Sequence, residues 1–151
     1  MPNMDETIAK FTTPESCEQF ALNVQDRDPE RAKEARRRAV ELRALQHGAE
    51  TTAERECLEA VYAYERVLSD TKGKKVRASR TWQMIERRGL IPAVEYLVTR
   101  TAETTGYKAL ASMGMQDKLF EMVVLRHPEN FSHEAQAASK RRLRQWGFSA
   151  P

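Results

Sequence analysis

Two short segments, Thr13-Pro14-Glu15 and Asp28-Pro29-Glu30, each combine three residue types that favour the start of an α-helix. A threonine or aspartate side chain accepts hydrogen bonds from free backbone amides, proline fits the first helical position, and glutamate complements the helix dipole. Thr51 or Thr52 and Ser132 precede two later helical patterns in the same way. No segment shows the sustained alternation of β-branched and polar residues that indicates a strand. The chain is therefore predicted to be all-α.

The start and stop signals along the chain predict about seven helices, and 151 residues correspond to a single domain of ordinary size. Residues 1–70 are predicted to form an N-terminal three-helix bundle, 71–78 a basic loop and 79–151 a four-helix C-terminal half, all within one compact domain. The C-terminal half is expected to consist of helix-glycine-helix units that turn at Gly89 and Gly114.

Three features of these helices give specific packing predictions. The run 116–127 is apolar nearly all round, so it is predicted to form the most buried helix. Trp82 is predicted to be a core residue of its short helix. Glu65 and Glu121 interrupt apolar stretches, and we expect each carboxylate to pair with an arginine across a helix contact.

The net charge of +3 hides strong local imbalances. Residues 1–30 and 49–71 carry net charges of −5 and −4, whereas 31–48 carries +4. Residues 72–100 hold eight basic and two acidic side chains, a net charge of +6. Alternating blocks can neutralise one another across a fold, and Arg36, Arg37 and Arg38 could in this way form salt bridges with the acidic helix expected to start near Thr51 or Thr52. The +6 block has too little acid near it in sequence, which predicts a surface for an anionic partner.

The segment 72–88, called here the basic segment, carries the clearest functional signal. Five of the nine residues from Lys72 to Arg80 are cationic, and two more arginines follow. Such cations follow a phosphate backbone, and each phosphate they neutralise releases a counterion. Hydroxyl groups near the start of the next helix, with Ser79 as its expected N-cap, would add to a phosphate site, and C-terminal arginines would extend the surface. The candidate contacts are Lys72, Lys74, Lys75, Arg77, Ser79, Arg80, Thr81, Arg87, Arg88, Arg141 and Arg142.

A helix-turn-helix is a second interpretation of the same region. Residues 81–98 have its outline, with Gly89 in the turn, but Pro92 lies early in the would-be recognition helix. Residues 106–123 match the apolar pattern better, but their second helix is too apolar for a solvated groove. Hairpins of this kind also occur in helical folds that bind nothing.

The sequence argues against an enzyme, a metal site or a cofactor. His127 and His133 are separated by Pro128 and do not have the spacing of a helical metal-binding pair. Cys17 and Cys57 lie on apolar helical stripes, where a cysteine packs as a small apolar residue. No glycine-rich phosphate-binding loop is present.

We therefore expect a non-enzymatic nucleic-acid-binding protein, with DNA as the favoured partner and contacts mainly to the backbone. The alternative is a helical protein–protein adaptor or a homodimerising scaffold subunit, suggested by the alternating charge blocks and the alanine-rich second helix. The longest apolar stretch, 122–125, is too short for a membrane span. The acidic start of the chain and the two cysteines predict a cytoplasmic protein.

Overall fold

The computed structural model describes residues 5–100 and 106–151, and every regular element in these residues is a helix, which confirms the all-α prediction. Two 3₁₀ turns, Gln116–Lys118 and Pro128–Asn130, accompany the α-helices. The described part of the chain contains nine α-helices, two more than the approximate number expected: α1 (Glu6–Ala9), α2 (Pro14–Val24), α3 (Pro29–His47), α4 (Thr52–Lys72), α5 (Ser79–Arg88), α6 (Leu90–Arg100), α7 (Gly106–Ser112), α8 (Phe120–Arg126) and α9 (His133–Trp146).

Helix starts follow the local sequence signals closely. Thr13, Asp28, Thr51 and Ser132 each accept a hydrogen bond from the backbone amide three residues further along the chain. The expected cap at Ser79 is wrong, because Ala78 occupies the N-cap position of α5 and supplies no side-chain hydrogen bond.

Helix α1 was not expected from the sequence, because four residues are too few to show a periodic pattern. Asp5 caps it by accepting hydrogen bonds from the amides of Thr7 and Ile8. Ile8 is fully buried and belongs to a small apolar cluster with residues of α2 and α3. Burial of this one side chain therefore ties α1 to the helices that follow it.

The apolar run 116–127 is buried as predicted, but it does not form one continuous helix. Leu119 adopts an extended conformation, with ψ of 142°, between the first 3₁₀ turn and α8. Met122, Val123 and Val124 are buried in α8. The break allows the neighbouring Lys118 to direct its ammonium group toward carboxylates of α3 and α4.

Helix α4 occupies the centre of the packing. It contacts α3, α6, α7 and α8. Cys57 and Ala60 of α4 share one core cluster with apolar residues of α6, α8 and α9. Helix α4 continues to Lys72, two residues into the segment 71–78 expected to be a loop, and stops where Gly73 adopts a left-handed conformation with φ of 70°. The connection to α5 is therefore residues 73–78.

Candidate nucleic-acid interface

The loop 73–78 is fastened to α4 by side chains of that helix. The Ser69 hydroxyl accepts a hydrogen bond from the Val76 amide at 2.9 Å and lies 3.3 Å from the Val76 carbonyl oxygen, to which it donates. Glu65 Oε2 accepts from the Ala78 amide and from the Trp82 indole Nε1, each at 2.7 Å. These hydrogen bonds therefore fix the backbone of the loop that carries Lys74 and Lys75, without the need for a bound partner.

Glu65 thus has a different role from the one predicted. In the described residues it makes no ion pair with an arginine, and its carboxylate instead binds one backbone amide and one indole. The prediction for Glu121 is confirmed, because its Oε2 lies 2.9 Å from Arg142 Nη1.

Trp82 is a core residue, as predicted, with 8% of its surface exposed. The His47 ring stacks on the indole at a centroid distance of 5.2 Å, and the Tyr62 ring lies at the same distance in a tilted arrangement. The Arg77 guanidinium lies over the indole, 5.4 Å from the ring centroid. Arg77 is consequently held against the first turn of α5 and remains exposed to solvent.

A recess of about 810 Å³ lies beside this loop. Its walls come from α2, α3, α4 and the loop itself. Five cationic and three acidic side chains line it, so the recess carries a net charge of +2 at neutral pH. These charged residues are Arg36, Arg43, Arg66, Lys74, Lys75, Glu18, Glu65 and Asp70.

Two of the arginines in the recess have a carboxylate partner. Arg43 Nη2 lies 2.8 Å from Glu18 Oε1, and Arg66 Nη2 lies 3.1 Å from Asp70 Oδ1. Within the described residues Arg36 binds a neutral group, since its Nη2 donates to Gln25 Oε1 at 2.7 Å.

Lys74 and Lys75 form no ion pair with any residue that the structure describes. With Arg36, they make three cations that face one recess without a carboxylate of their own. This surplus of positive charge is the main electrostatic feature of the recess.

Burial and the neighbouring charges shift the pKa of two side chains that line the recess, Arg36 and Tyr62. Burial lowers the pKa of the Arg36 guanidinium, the positive charge of Arg66 lowers it further, and Asp70 partly opposes both effects. Arginine nevertheless stays protonated in proteins, so Arg36 keeps its charge. Burial also raises the pKa of the Tyr62 phenol, and the negative charge of Glu65 adds to that effect. An anion entering the recess would therefore meet cations that are poorly compensated.

Most candidate contacts predicted from the sequence are exposed. None of the exposed candidates forms an ion pair with a carboxylate within residues 5–100 and 106–151. Arg88 packs its guanidinium over Tyr96 at 4.6 Å from the ring centroid and remains exposed. The exposed candidates are Lys72, Lys74, Lys75, Arg77, Ser79, Arg80, Arg87, Arg88 and Arg141.

Two candidates do not lie on this surface. Thr81 is buried and lines a separate cavity of about 140 Å³, because the first turn of α5 places it on the face directed toward the core. Arg142 is largely buried and binds Glu121 and the Leu97 carbonyl oxygen. A side chain committed to a buried ion pair is not available to a phosphate, so we remove both residues from the candidate interface.

Acidic side chains of α3 and α4 bind cations that lie outside the basic segment. Glu41 of α3 and Glu59 of α4 both bind Lys118. Glu56 of α4 binds Arg126 at 2.7 Å. Among the described contacts, none of these acidic side chains forms an ion pair with a cation of the basic segment.

The partners of Arg36, Arg37 and Arg38 of α3 also differ from those predicted. Arg37 binds Asp117 in the first 3₁₀ turn through two contacts of 2.6 Å. Arg38 donates to the Phe11 carbonyl oxygen, and Arg36 to Gln25. In the described part of the chain no member of the triplet forms a salt bridge with α4.

The recess itself was not predicted. Arg36 and Arg43 are seven residues apart on α3 and so share a helical face, which is the one signal in the sequence that could have paired them. Their meeting with Arg66 and with the loop lysines depends on how α3 and α4 pack, and no local pattern reports that packing.

Comparisons with protein families, curated proteins and solved structures found no significant similarity to this chain. Of the helices described, none combines the length with the apolar composition that a bilayer crossing requires.

Proposed function

We propose that this protein binds nucleic acid without catalysing a reaction, with DNA as the first candidate. The phosphate backbone would contact the exposed cations of the basic segment. One observation carries the proposal: these side chains have no carboxylate partner within the described residues, while nearby acids pair with other cations. Cations without partners retain their full attraction for phosphates, and such contacts hold the backbone with little dependence on base sequence.

The anchored loop supports the same proposal. Hydrogen bonds from Val76 to Ser69 and from Ala78 to Glu65 fix the loop on both sides of the exposed Arg77. A loop that is already ordered loses less conformational entropy when it binds a partner.

Cys17 and Cys57 are buried and form no disulfide, which suits the cytoplasmic location that we propose for this activity.

A second candidate function is docking to another helical protein or to a second copy of this chain. The observation in its favour is the exposure of two leucines, Leu22 in α2 and Leu45 in α3, at 56% and 57%. Light scattering after size-exclusion chromatography tests this function. A stable oligomer that dissociates when Leu22 and Leu45 are changed to serine would favour it over nucleic-acid binding.

The double substitution Lys74→Gln/Lys75→Gln tests nucleic-acid binding directly. Each phosphate contact contributes about 0.9 to the slope of log K against log salt concentration for duplex DNA. We expect the double variant to bind more weakly and to lower that slope by about 1.8. Fluorescence anisotropy of a labelled duplex over a series of salt concentrations measures both quantities.

Lys10→Gln/Lys108→Gln is the matched control, because it removes the same charge from two exposed lysines outside the basic segment. We expect this control to keep the wild-type slope apart from a small general effect. If both double variants lower the slope equally, binding depends on net charge alone and the basic segment is not the interface. Absence of binding at low salt would overturn the proposed function.

A further inference from the structure

The recess beside the loop has the character of a preformed anion site at its α3 and α4 walls. Arg36 is half-buried there, and among the described residues its hydrogen-bond partner is the neutral side chain of Gln25. Burial and the nearby charge of Arg66 both disfavour its positive charge. Two guanidinium groups held within electrostatic range of each other are stabilised by an anion that contacts both.

Arg66 provides the second contact. Its Nη2 is bound to Asp70, but its Nε is buried and has no hydrogen-bond partner among the described residues. A buried donor without an acceptor is costly, and the great majority of such groups in proteins are satisfied. Because this Nε has almost no accessible surface, an oxygen atom in the recess would contact Arg66 through its other guanidinium nitrogens, while Arg36 supplies a second positive charge.

We propose that the recess binds a phosphate ester group, with Arg36 and Arg66 as direct contacts and Lys74 and Lys75 at the entrance. Guanidinium groups suit this ligand because their planar set of donors matches the oxygens of a phosphate. The source that we expect is a single strand of nucleic acid, and this part of the inference rests on the proposed function.

The shape of the recess favours a single strand over a duplex. Its volume of about 810 Å³ lies within the range of sites that enclose a small organic molecule. A single strand is flexible enough to direct one phosphate inward, with its sugar and base against the apolar parts of the lining, Leu22, Val40 and Val76. Phosphates of a duplex lie on the outside of a rigid cylinder and would meet the exposed basic segment instead.

The substitution Arg36→Gln tests the proposal. A hydrogen bond to a charged group contributes about 1.5–3 kcal/mol, so we expect binding of a labelled oligothymidine single strand to weaken about tenfold or more. Arg36→Lys keeps the charge but loses the planar donor set, and should restore part of the affinity. Binding of a duplex of equal length should change less than twofold. Fluorescence anisotropy measures all three, and circular dichroism verifies that the variants keep their helix content.

Arg55→Gln is the matched control, because Arg55 is an arginine of α4 outside the recess, where it pairs with Glu59. We expect it to bind the single strand as the wild-type protein does. If Arg36→Gln and Arg55→Gln bind the strand equally well while Lys74→Gln/Lys75→Gln still lowers the salt slope, the recess proposal is overturned and nucleic-acid binding stands.

Thermal unfolding with inorganic pyrophosphate distinguishes two sources of the phosphate group, a strand of nucleic acid and a free phosphorylated molecule. We expect pyrophosphate to raise the melting temperature of the wild-type protein and of Arg55→Gln, but not that of Arg36→Gln. If this pattern appears while no nucleic acid binds, the recess serves a free phosphorylated molecule and the proposed function fails. If pyrophosphate has no effect and no strand distinguishes the arginine variants, the recess is not a phosphate site.

Discussion

The Lys118→Met substitution is expected to lower the free energy of unfolding by about 3–5 kcal/mol, because removing one partner of a buried ion pair leaves uncompensated charge. Lys118 is 2% exposed, and its ammonium group lies 3.1 Å from Glu41 Oε2 and 2.8 Å from Glu59 Oε1. Methionine fills much of the same space but offers no charge to these carboxylates, which keep their longer contacts, Glu41 with Arg37 at 3.5 Å and Glu59 with Arg55 at 3.7 Å. Urea unfolding followed by circular dichroism measures the loss.

Lys108→Met is the control for this prediction, since Lys108 is exposed on α7 and its substitution should change the free energy by less than about 0.5 kcal/mol. Adding Glu59→Gln to Lys118→Met should recover part of the stability, because it removes one of the two carboxylates that face each other. A loss below about 1 kcal/mol in the single variant would contradict the buried ion-pair interpretation.

The second large effect is expected from Glu65→Ala, which should lower the free energy of unfolding by about 2–3 kcal/mol. The alanine leaves the Ala78 amide and the Trp82 indole N–H without their shared acceptor. Glu65→Gln keeps an acceptor oxygen in the same place but loses the charge, so its cost should be about 1 kcal/mol. Urea unfolding gives the two values, and hydrogen exchange of the Ala78 amide reports whether the loop has loosened.

Glu86→Ala provides the comparison for Glu65, because Glu86 is an exposed carboxylate of α5. We expect it to leave both the stability and the exchange at Ala78 unchanged. Equal losses in Glu65→Ala and Glu65→Gln would show that charge, rather than an acceptor at this position, stabilises the loop. Unchanged exchange in Glu65→Ala would show that the loop is held by other contacts.

The helical class and most helix starts could be predicted because they depend on neighbouring residues. Thr13, Asp28, Thr51 and Ser132 cap helices through hydrogen bonds that span three positions. Such contacts form whatever the rest of the chain does, so a short segment contains enough information to place them.

The partners of polar side chains inside the fold could not be predicted in the same way. Glu65 reaches an amide 13 residues away and an indole 17 residues away, and this requires the path of a loop that has no regular pattern. Lys118 reaches carboxylates 77 and 59 residues away. Its position within the apolar run 116–127 was the one sign in the sequence that its side chain would be buried.

The candidate interface could be predicted only where it depends on residues that are neighbours in the sequence. Clustering of the cations in residues 72–88 is a property of the sequence, and the structure leaves most of them exposed. The wall formed by Arg36 and Arg66 depends on contact between α3 and α4, and the inward orientation of Thr81 depends on how α5 meets the core.

The central place of α4 has a consequence for how the chain can be divided. Leu58 and Val61 of this helix pack with Trp82 of α5, while its Cys57 and Ala60 pack with α6, α8 and α9. A cut between α4 and α5 would leave both fragments with apolar surface in water, and neither would keep a complete core. Shortened versions of this protein that end or begin in the loop would therefore lose cooperative folding rather than isolate a binding module.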